Sequence, residues 1–451
     1  MIDISKDKKF YKMLVTLALP IIMQNLVSSS LNMVDTLMIG SLGESSIAAV
    51  GLANQVFFLF TLIMFGINSG SGIFIAQYYG KKDKENIHRV IGIGLMCVIM
   101  IGSIFTVAAV AFPSDILKIF TKDSVVINSG RGYLRIVGLS YIINAITLCY
   151  AFALRCTRQP KIPMFISIIA LVSNTILNII FIYGKLGVPA MGVNGAAIAT
   201  LISRIIEFIL MIAIVHRGKN IVAGKIKNML DLSKGFVVNF FKVTLPVIFN
   251  ETFWALGMTM YSMAYARIST EAVASVQIAT TVQNIFMVIN MGIANAAAVM
   301  IGNKIGEREE EEAIRYSKLF SLLSPTVGIV MGTLLIVLAP LILKLFNVSP
   351  TTYSDSIKVL RVIGLILPIK FFNSLLVVGI LRAGGDTKFS LFLETGSVWL
   401  IGVPLSFIGA LVLHLPVYGV VALIFIEEIV KSSIGLPRVL SKKWVKNVVD
   451  M

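Results

Sequence analysis

The sequence predicts an all-α polytopic membrane protein, with twelve transmembrane helices in two six-helix bundles related by a parallel internal repeat. Three observations predict it. Of 451 residues, 57% are hydrophobic and only 14% are charged. A soluble domain carries about 25% charged residues, so too little polar surface is available here to cover a water-soluble globule. Apolar runs recur from Leu14 to Leu436, so the hydrophobicity is not one anchor on a soluble body. Finally, the second half of the chain repeats the first at one fixed offset, the separation of Pro20 from Pro246.

A spanning helix needs about 20 mostly apolar residues. By that ruler the first half supplies spans at 14–39, 47–78, 90–112, 131–154, 163–183 and 193–215. The second supplies 240–266, 273–303, 319–343, 357–381, 389–413 and 417–436. The first span follows the basic stretch Met1 to Lys12. It is too long for a signal-peptide core and has no convincing small-residue cleavage site, so it reads as a retained helix. Pro20 and Pro246 lie inside the first and seventh spans and are expected to bend or break them. The second and eighth are longer than a crossing requires and should tilt or protrude. The domains are therefore an N-terminal lobe over 1–215, a basic linker with scattered glycines over 216–239, a C-terminal lobe over 240–436 and a tail over 437–451.

The charges orient these spans. With the N-terminus inside, 28 of the 39 Lys and Arg fall in inward-facing segments, the last beginning at Lys431, and nine in outward-facing ones. Arg204 and Lys370 lie within spans. A threefold inside excess places both termini in the cytoplasm of a cell-membrane protein. It also accounts for the net charge of +16 without nucleic acid binding.

The repeat runs through residues that hydrophobicity alone does not fix. Leu19-Pro20 meets Leu245-Pro246, and Ala48, Val50, Ala53 and Val56 meet Ala274, Val276, Ala279 and Val282. Gly66-Ile67, Gly80 and Arg89 meet Gly292-Ile293, Gly306 and Arg315, and Leu134-Arg135 and Gly138 meet Leu360-Arg361 and Gly364. The register slips by one near Leu154-Arg155 against Leu381-Arg382. Six spans per half is even, so both halves enter the membrane from the same side. Such parallel repeats place a substrate route between the halves and alternate access by rocking.

Several classes drop out. Cys97, Cys149 and Cys156 form no CxxC pair, which leaves neither a disulfide framework nor a zinc site. There is no GxxxxGK[ST], HExxH or GxSxG, so the chain has no P-loop ATPase of its own and no familiar hydrolase site. No cofactor is expected, and the protein is not read as an enzyme.

Ionisable groups within a bilayer are costly and default to functional hypotheses. Asp35 stands about five residues before the outer end of the first span, roughly 7–8 Å deep at 1.5 Å per residue. Asn174 and Asn178, spaced i, i+4, share one face of the fifth span. Thr200 sits at a similar depth in the sixth. A carboxylate, two amide oxygens and a hydroxyl suit a hard monovalent cation such as Na⁺, and a buried carboxylate there suits a proton equally. The bland alternative is that the amides only hydrogen-bond neighbouring helices.

Glu251 lies near mid-membrane in the seventh span, where the repeat pairs it with Asn25; Asp35 pairs with Tyr261, so the two acids are not symmetry mates. Glu251, with Gln277 of the eighth span, is the candidate for substrate binding or a second coupling site. Gln277, Gln283 and Asn284 either face a polar cavity or pack. Arg204 and Glu207, i, i+3, are expected to neutralise each other. Lys370, Glu394, Glu427 and Glu428 either line a cavity in the C-terminal lobe or snorkel toward an interface.

Taken together, the Asp35 segment, the Asn174/Asn178 pair leading to Gly195-Ala-Ala-Ile-Ala-Thr200, and Leu381-Arg-Ala-Gly-Gly-Asp-Thr-Lys388 resemble multidrug and toxic compound extrusion (MATE) transporters of bacterial type. Glu251 and the Gly80-Lys81 and Gly306-Glu307 ends agree, and the resemblance covers essentially the whole chain. It implies two six-helix bundles around a V-shaped outward-facing cavity, and export of amphipathic, mostly cationic drugs in exchange for Na⁺ or H⁺. It implies that Asp35, Asn174, Asn178 and Thr200 match the N-lobe cation site, and that Glu251 matches an acid of a C-lobe site. The chain departs in having Asn178 where some members have Asp, and in reading Lys370-Phe-Phe-Asn373-Ser374 where the sodium-coupled branch has an acid. The expected partners are small amphipathic or cationic molecules and the lipid bilayer. The rival reading is a flippase for a lipid-linked saccharide or cell-wall precursor, which needs a more cationic cavity than Arg204 and Lys370 supply.

Overall fold

The structure, a computed structural model, describes residues 8–218, 220–344, 346 and 349–450. The N-terminal stretch through Asp7, and with it Lys6 and Lys219 of the charge count, lies outside the described residues. Helices account for nearly everything else. In chain order they are α1 (Lys8–Gly40), α2 (Glu44–Gly80), α3 (Lys84–Ala111), α4 (Pro113–Phe120), α5 (Ser124–Gly138), α6 (Ser140–Cys156), α7 (Lys161–Tyr183) and α8 (Gly192–Arg217). After the short α9 (Ile226–Met229) come α10 (Lys234–Ala266), α11 (Thr270–Gly306), α12 (Glu310–Leu343), α13 (Pro350–Ser374), α14 (Thr387–Ser397), α15 (Val403–Phe407), α16 (Val417–Ile424) and α17 (Ile426–Leu440).

Ten of the helical stretches are long and apolar enough to cross a bilayer, and α5 with α6, bent by 45° at their junction, make an eleventh. The twelfth crossing is α16 with α17, interrupted at Phe425. Pro20 and Pro246 lie inside α1 and α10, and both helices run on past them unbroken. The expected outer loop after residue 112 holds a proline-initiated helix, α4. Side chains such as Leu365 (72% exposed) and Leu400 (78%) remain uncovered. On a soluble protein so many exposed apolar residues would be a liability; on this one they are the lipid-facing surface.

The chain separates into two compact units. One takes Met23–Ile75 and Lys82–Phe240; the other takes the described residues up to Ile22, Ala76–Lys81, and Phe241 onward. Within the first, Phe60 stacks on Tyr141 with centroids 5.1 Å apart, and α3 lies against α6. Within the second, Tyr261, Leu335, Leu360, Phe371 and Val398 belong to one buried apolar cluster. Here α12 and α13 pack so closely that a Cβ at Gly332 would strike the Gly364 carbonyl. Small residues that let backbones approach supply dispersion where lipid gives no hydrophobic drive between helices.

The repeat is written into the backbone as well. Lys82 and Arg308, mates in the repeat, both take the left-handed conformation, at φ 62° and 61°. Arg158 and Gly385, mates after the one-step slip in register, do likewise. Behind three of them the same closing bond recurs: Gln159 N to Leu154 O, Glu309 N to Lys304 O, and Asp386 N to Leu381 O. These are Schellman-type ends, which satisfy carbonyls that a helix terminus would otherwise leave orphaned. At the C-terminal ends of α2 and α11, Gly80 faces the Asn303 carbonyl and Gly306 faces that of Gln77. The shift that carries Pro20 onto Pro246 converts one contact into the other, so this crossing is a local two-fold.

The C-terminal segment is a folded strap. Trp444 is fully buried against Gly384, and Lys446 N donates to Gly384 O at 2.7 Å. Gln77 receives Val448 N at 2.9 Å and donates to the carbonyls of Ala383 and Lys446. Asp386 accepts from Arg438 and Lys446, and Asp450 from Lys81 and Arg308. Those two cations hold the Asp450 carboxyl below the usual range, Lys81 foremost.

Candidate cation-coupling site

In the first unit, α7 carries Asn174 and Asn178 one turn apart, both fully enclosed, facing Asp35 of α1. Asn178 Nδ2 donates to Asp35 Oδ1 at 2.5 Å and to Asn174 Oδ1 at 3.0 Å. The structure thus brings three of the four expected residues into one hydrogen-bonded group. Thr200 stands on α8, which packs along α7. Its Oγ is enclosed without a partner, as are Asn178 Oδ1 and Asn174 Nδ2. Buried polar atoms are almost always satisfied. Asn178 Oδ1 is thus an orphaned oxygen within the group that holds the Asp35 carboxylate, and Thr200 Oγ is a second one on the neighbouring helix.

Beneath this group runs a second polar chain. Glu207 pairs with Arg204 at 2.7 Å, as their spacing predicts. Ser167 Oγ donates to Glu207 at 3.3 Å and receives Gln24 Nε2 at 3.1 Å, while Arg155 donates to Gln24 Oε1 from both Nε and Nη2. Together the two groups hold two acids, Asp35 and Glu207, and two cations, Arg204 paired with Glu207 and Arg155 bonded to Gln24.

The second unit holds a larger network. Arg382 Nη1 lies 2.7 Å from Glu251 and its Nη2 lies 3.7 Å from Glu394. Asn250 Nδ2 donates to Glu394 at 2.8 Å. Lys431 reaches Glu394 at 4.0 Å and Glu428 at 3.6 Å, and Asn373 Nδ2 donates to Glu428 at 2.7 Å. Glu427 accepts from the Tyr261 hydroxyl. Lys370 lies over the Phe425 ring at 5.3 Å. Glu427, Glu428 and Lys431 are each about 5% exposed or less and so do not snorkel, whereas Glu251, Lys370 and Glu394 are half-buried. Gln277 stands apart, with an exposed side chain that enters none of these bonds.

Arg382 and Lys431 are not legible in the sequence as site residues, since the charge count assigns Arg382 to a loop and Lys431 to the tail. The signal for Arg382 is the repeat itself. Leu381-Arg382 falls on Leu154-Arg155, and both arginines reach the same level of the opposing helix, at Gln24 in one unit and Glu251 in the other.

The MatE family model matches residues 20–180 and 246–408, two stretches whose first residues, Pro20 and Pro246, are mates in the repeat. "Uncharacterized transporter YisQ" of Bacillus subtilis is 24% identical over 446 residues, covering 98% of this chain and 96% of its own. "Probable multidrug resistance protein NorM" of Thermotoga maritima is 24% identical, covering 97% and 94%. Among solved structures, an outward-facing multidrug resistance MATE family transporter of the MOP superfamily superimposes with a TM-score of 0.87 at 22% identity, covering 96% of each chain. A MOP superfamily transporter from Pyrococcus furiosus, described by the reverse polarity of its binding pocket, gives the same score, identity and coverage. The fold, the twelve crossings and a family match over both halves of the repeat converge: the chain is a multi-pass membrane transporter belonging to the MATE family.

Proposed function

We propose that the protein is a secondary antiporter that exports amphipathic, mostly cationic compounds in exchange for Na⁺ or H⁺ bound at Asp35. The observation that carries this reading is the Asp35–Asn178–Asn174 group with its orphaned Asn178 Oδ1, and Thr200 Oγ, likewise without a partner, on the adjacent helix α8. A cation at the carboxylate removes the reason for Asn178 to present its amide NH₂ there. Turning that amide offers Oδ1 to the ion and breaks the bond to Asn174, which alters how α1 seats on α7 and α8. Drug and ion must favour different states for exchange, because a ligand with equal affinity for both shifts nothing. Relatives named as multidrug resistance proteins support the substrate class. Rocking between two access states is the motion a parallel repeat supports.

The test is ethidium movement in liposomes under an imposed Na⁺ or pH gradient. Wild type should move ethidium under at least one gradient, and Asp35→Asn, still folded and inserted, should move none. Undiminished efflux by Asp35→Asn sinks the proposal. No ethidium movement by wild type under either gradient sinks the drug reading and favours flipping of a lipid-linked saccharide.

A further inference from the structure

The buried network of the second unit is one positive charge short. Four carboxylates, Glu251, Glu394, Glu427 and Glu428, share it with three cations, Lys370, Arg382 and Lys431. In the first unit the corresponding count is even. Isolated charge in low dielectric is costly, and a buried group compensates by pairing or by neutralising itself. Among the described residues, Glu427 is the one carboxylate of the four with no cation within 4.0 Å; its direct partner is the Tyr261 hydroxyl.

The repeat shows what this place corresponds to. Tyr261 is the mate of Asp35, at the same level of the equivalent helix. Along the last span of each half, Val193 and Gly195 align with Val417 and Gly419. In that register Glu427 falls on Ser203, one turn past Thr200, and the Arg204–Glu207 pair falls on Glu428–Lys431 with its polarity reversed. The third wall is equivalent too. Gly402 aligns with Thr175, between the two asparagines, in the register that carries Arg155 onto Arg382. It closes a π-helical segment, Val398–Gly402, and a Cβ there would overlap both the Tyr261 hydroxyl and the Glu427 carboxylate. Such π-segments are rare and concentrate at functional sites.

We propose that Glu427, seated by Tyr261 and Gly402, is a second exchangeable cation site, the counterpart of the Asp35 site with its carboxylate moved to the opposite helix, and that its occupant is a proton. Among the described residues, the side-chain oxygen hydrogen-bonded to Glu427 is that of Tyr261, and one hydroxyl with one carboxylate is too few for a metal ion that has shed its water. The titratable and charged groups that face Glu427 are Tyr261 and Tyr265 on α10, Lys370 on α13, and Glu428 and Lys431 on α17. Protonation of Glu427 Oε1 leaves Oε2 accepting from Tyr261 and brings the network to neutrality. The inference deepens the antiport reading and rests on it for its meaning, but the binding event is measurable without transport.

The experiment is infrared difference spectroscopy of the full chain in lipid membranes as pH is lowered, following the protonated-carboxyl C=O band. Besides the broad band of the exposed carboxyls, wild type should show two components from these buried ones. Asp35→Asn should lose one, Glu427→Gln the other, and added Na⁺ should leave the Glu427 component in place. Tyr261→Phe, which keeps the carboxyl but removes its donor, should shift that component to higher wavenumber and thereby guards against a misfolded Glu427→Gln. An unchanged spectrum in Glu427→Gln, an unshifted band in Tyr261→Phe, or displacement by Na⁺ overturns the proposal. If wild type binds the proton at Glu427 but shows no gradient-driven efflux, the site stands and the antiport reading falls.

Discussion

Asp35 and Glu251, the two acids that stand out in the sequence, differ in what surrounds them. Asp35 is half-buried and its direct partner is an amide. Glu251 is held by the guanidinium of Arg382, itself 2% exposed. The first acid thus has a neutral partner, whereas the second has a charged one. Arg382→Met would leave Glu251 and Glu394 without their shared cation, and removing one member of a buried pair costs about 3–5 kcal/mol. The variant should therefore melt well below wild type in detergent, and adding Glu251→Gln should restore much of the loss. Arg155→Met, which removes hydrogen bonds to the neutral Gln24 and a contact over the Phe152 ring but leaves no paired carboxylate behind, should cost less. Equal destabilisation by the two single variants, with no recovery in the double, would show that Arg382 acts by packing rather than by charge.

At the scale of elements, hydropathy places the crossings because each is longer and more apolar than anything between them. It does not show where helices break. The junction of α5 with α6 and the interruption at Phe425 leave the apolar run intact, and the π-segments before Arg382 and after Ser397 have no compositional mark. Asn174 and Asn178 are legible because i, i+4 spacing fixes a shared face, and Asp35 because a carboxylate in an apolar run is conspicuous. Arg382, Lys431 and Tyr261 are not, since their roles depend on which helix faces them. Glycines at crossings belong to the same level. A Cβ on Gly306 falls on the Gln77 carbonyl oxygen, a backbone atom that no rotamer change can move aside. Gly306→Ala should therefore destabilise by about 1–3 kcal/mol, the range for overpacking, and Gly80→Ala, its mate in the repeat, should do so by a similar amount. A melting temperature within error of wild type for either variant would mean that the α2–α11 crossing has slack.

For the whole molecule, orientation in the bilayer follows from charge rather than from contacts. The strap and the helix ends beside it gather Lys81, Arg308, Arg438 and Lys446 around Asp386 and Asp450. These are the ends that the 28-to-nine distribution of Lys and Arg assigns to the cytoplasm. Each Lys or Arg near an anionic leaflet contributes about 1 kcal/mol, so an asymmetry of this size outweighs the few basic residues on the other face. A fluorescent protein fused after the C-terminal strap should therefore fluoresce in intact cells. Alkaline phosphatase inserted at Leu186, the exposed turn between α7 and α8, should be active, because that turn faces outward in the same scheme. The paired readout separates two kinds of failure. Reversal of both reporters inverts the topology and places the Asp35 group near the inner face, so that the gradient would load it from the wrong side for export. Reversal of one alone breaks the even count of six crossings per half, and with it the parallel relation on which equivalence of the Asp35 and Glu427 sites depends.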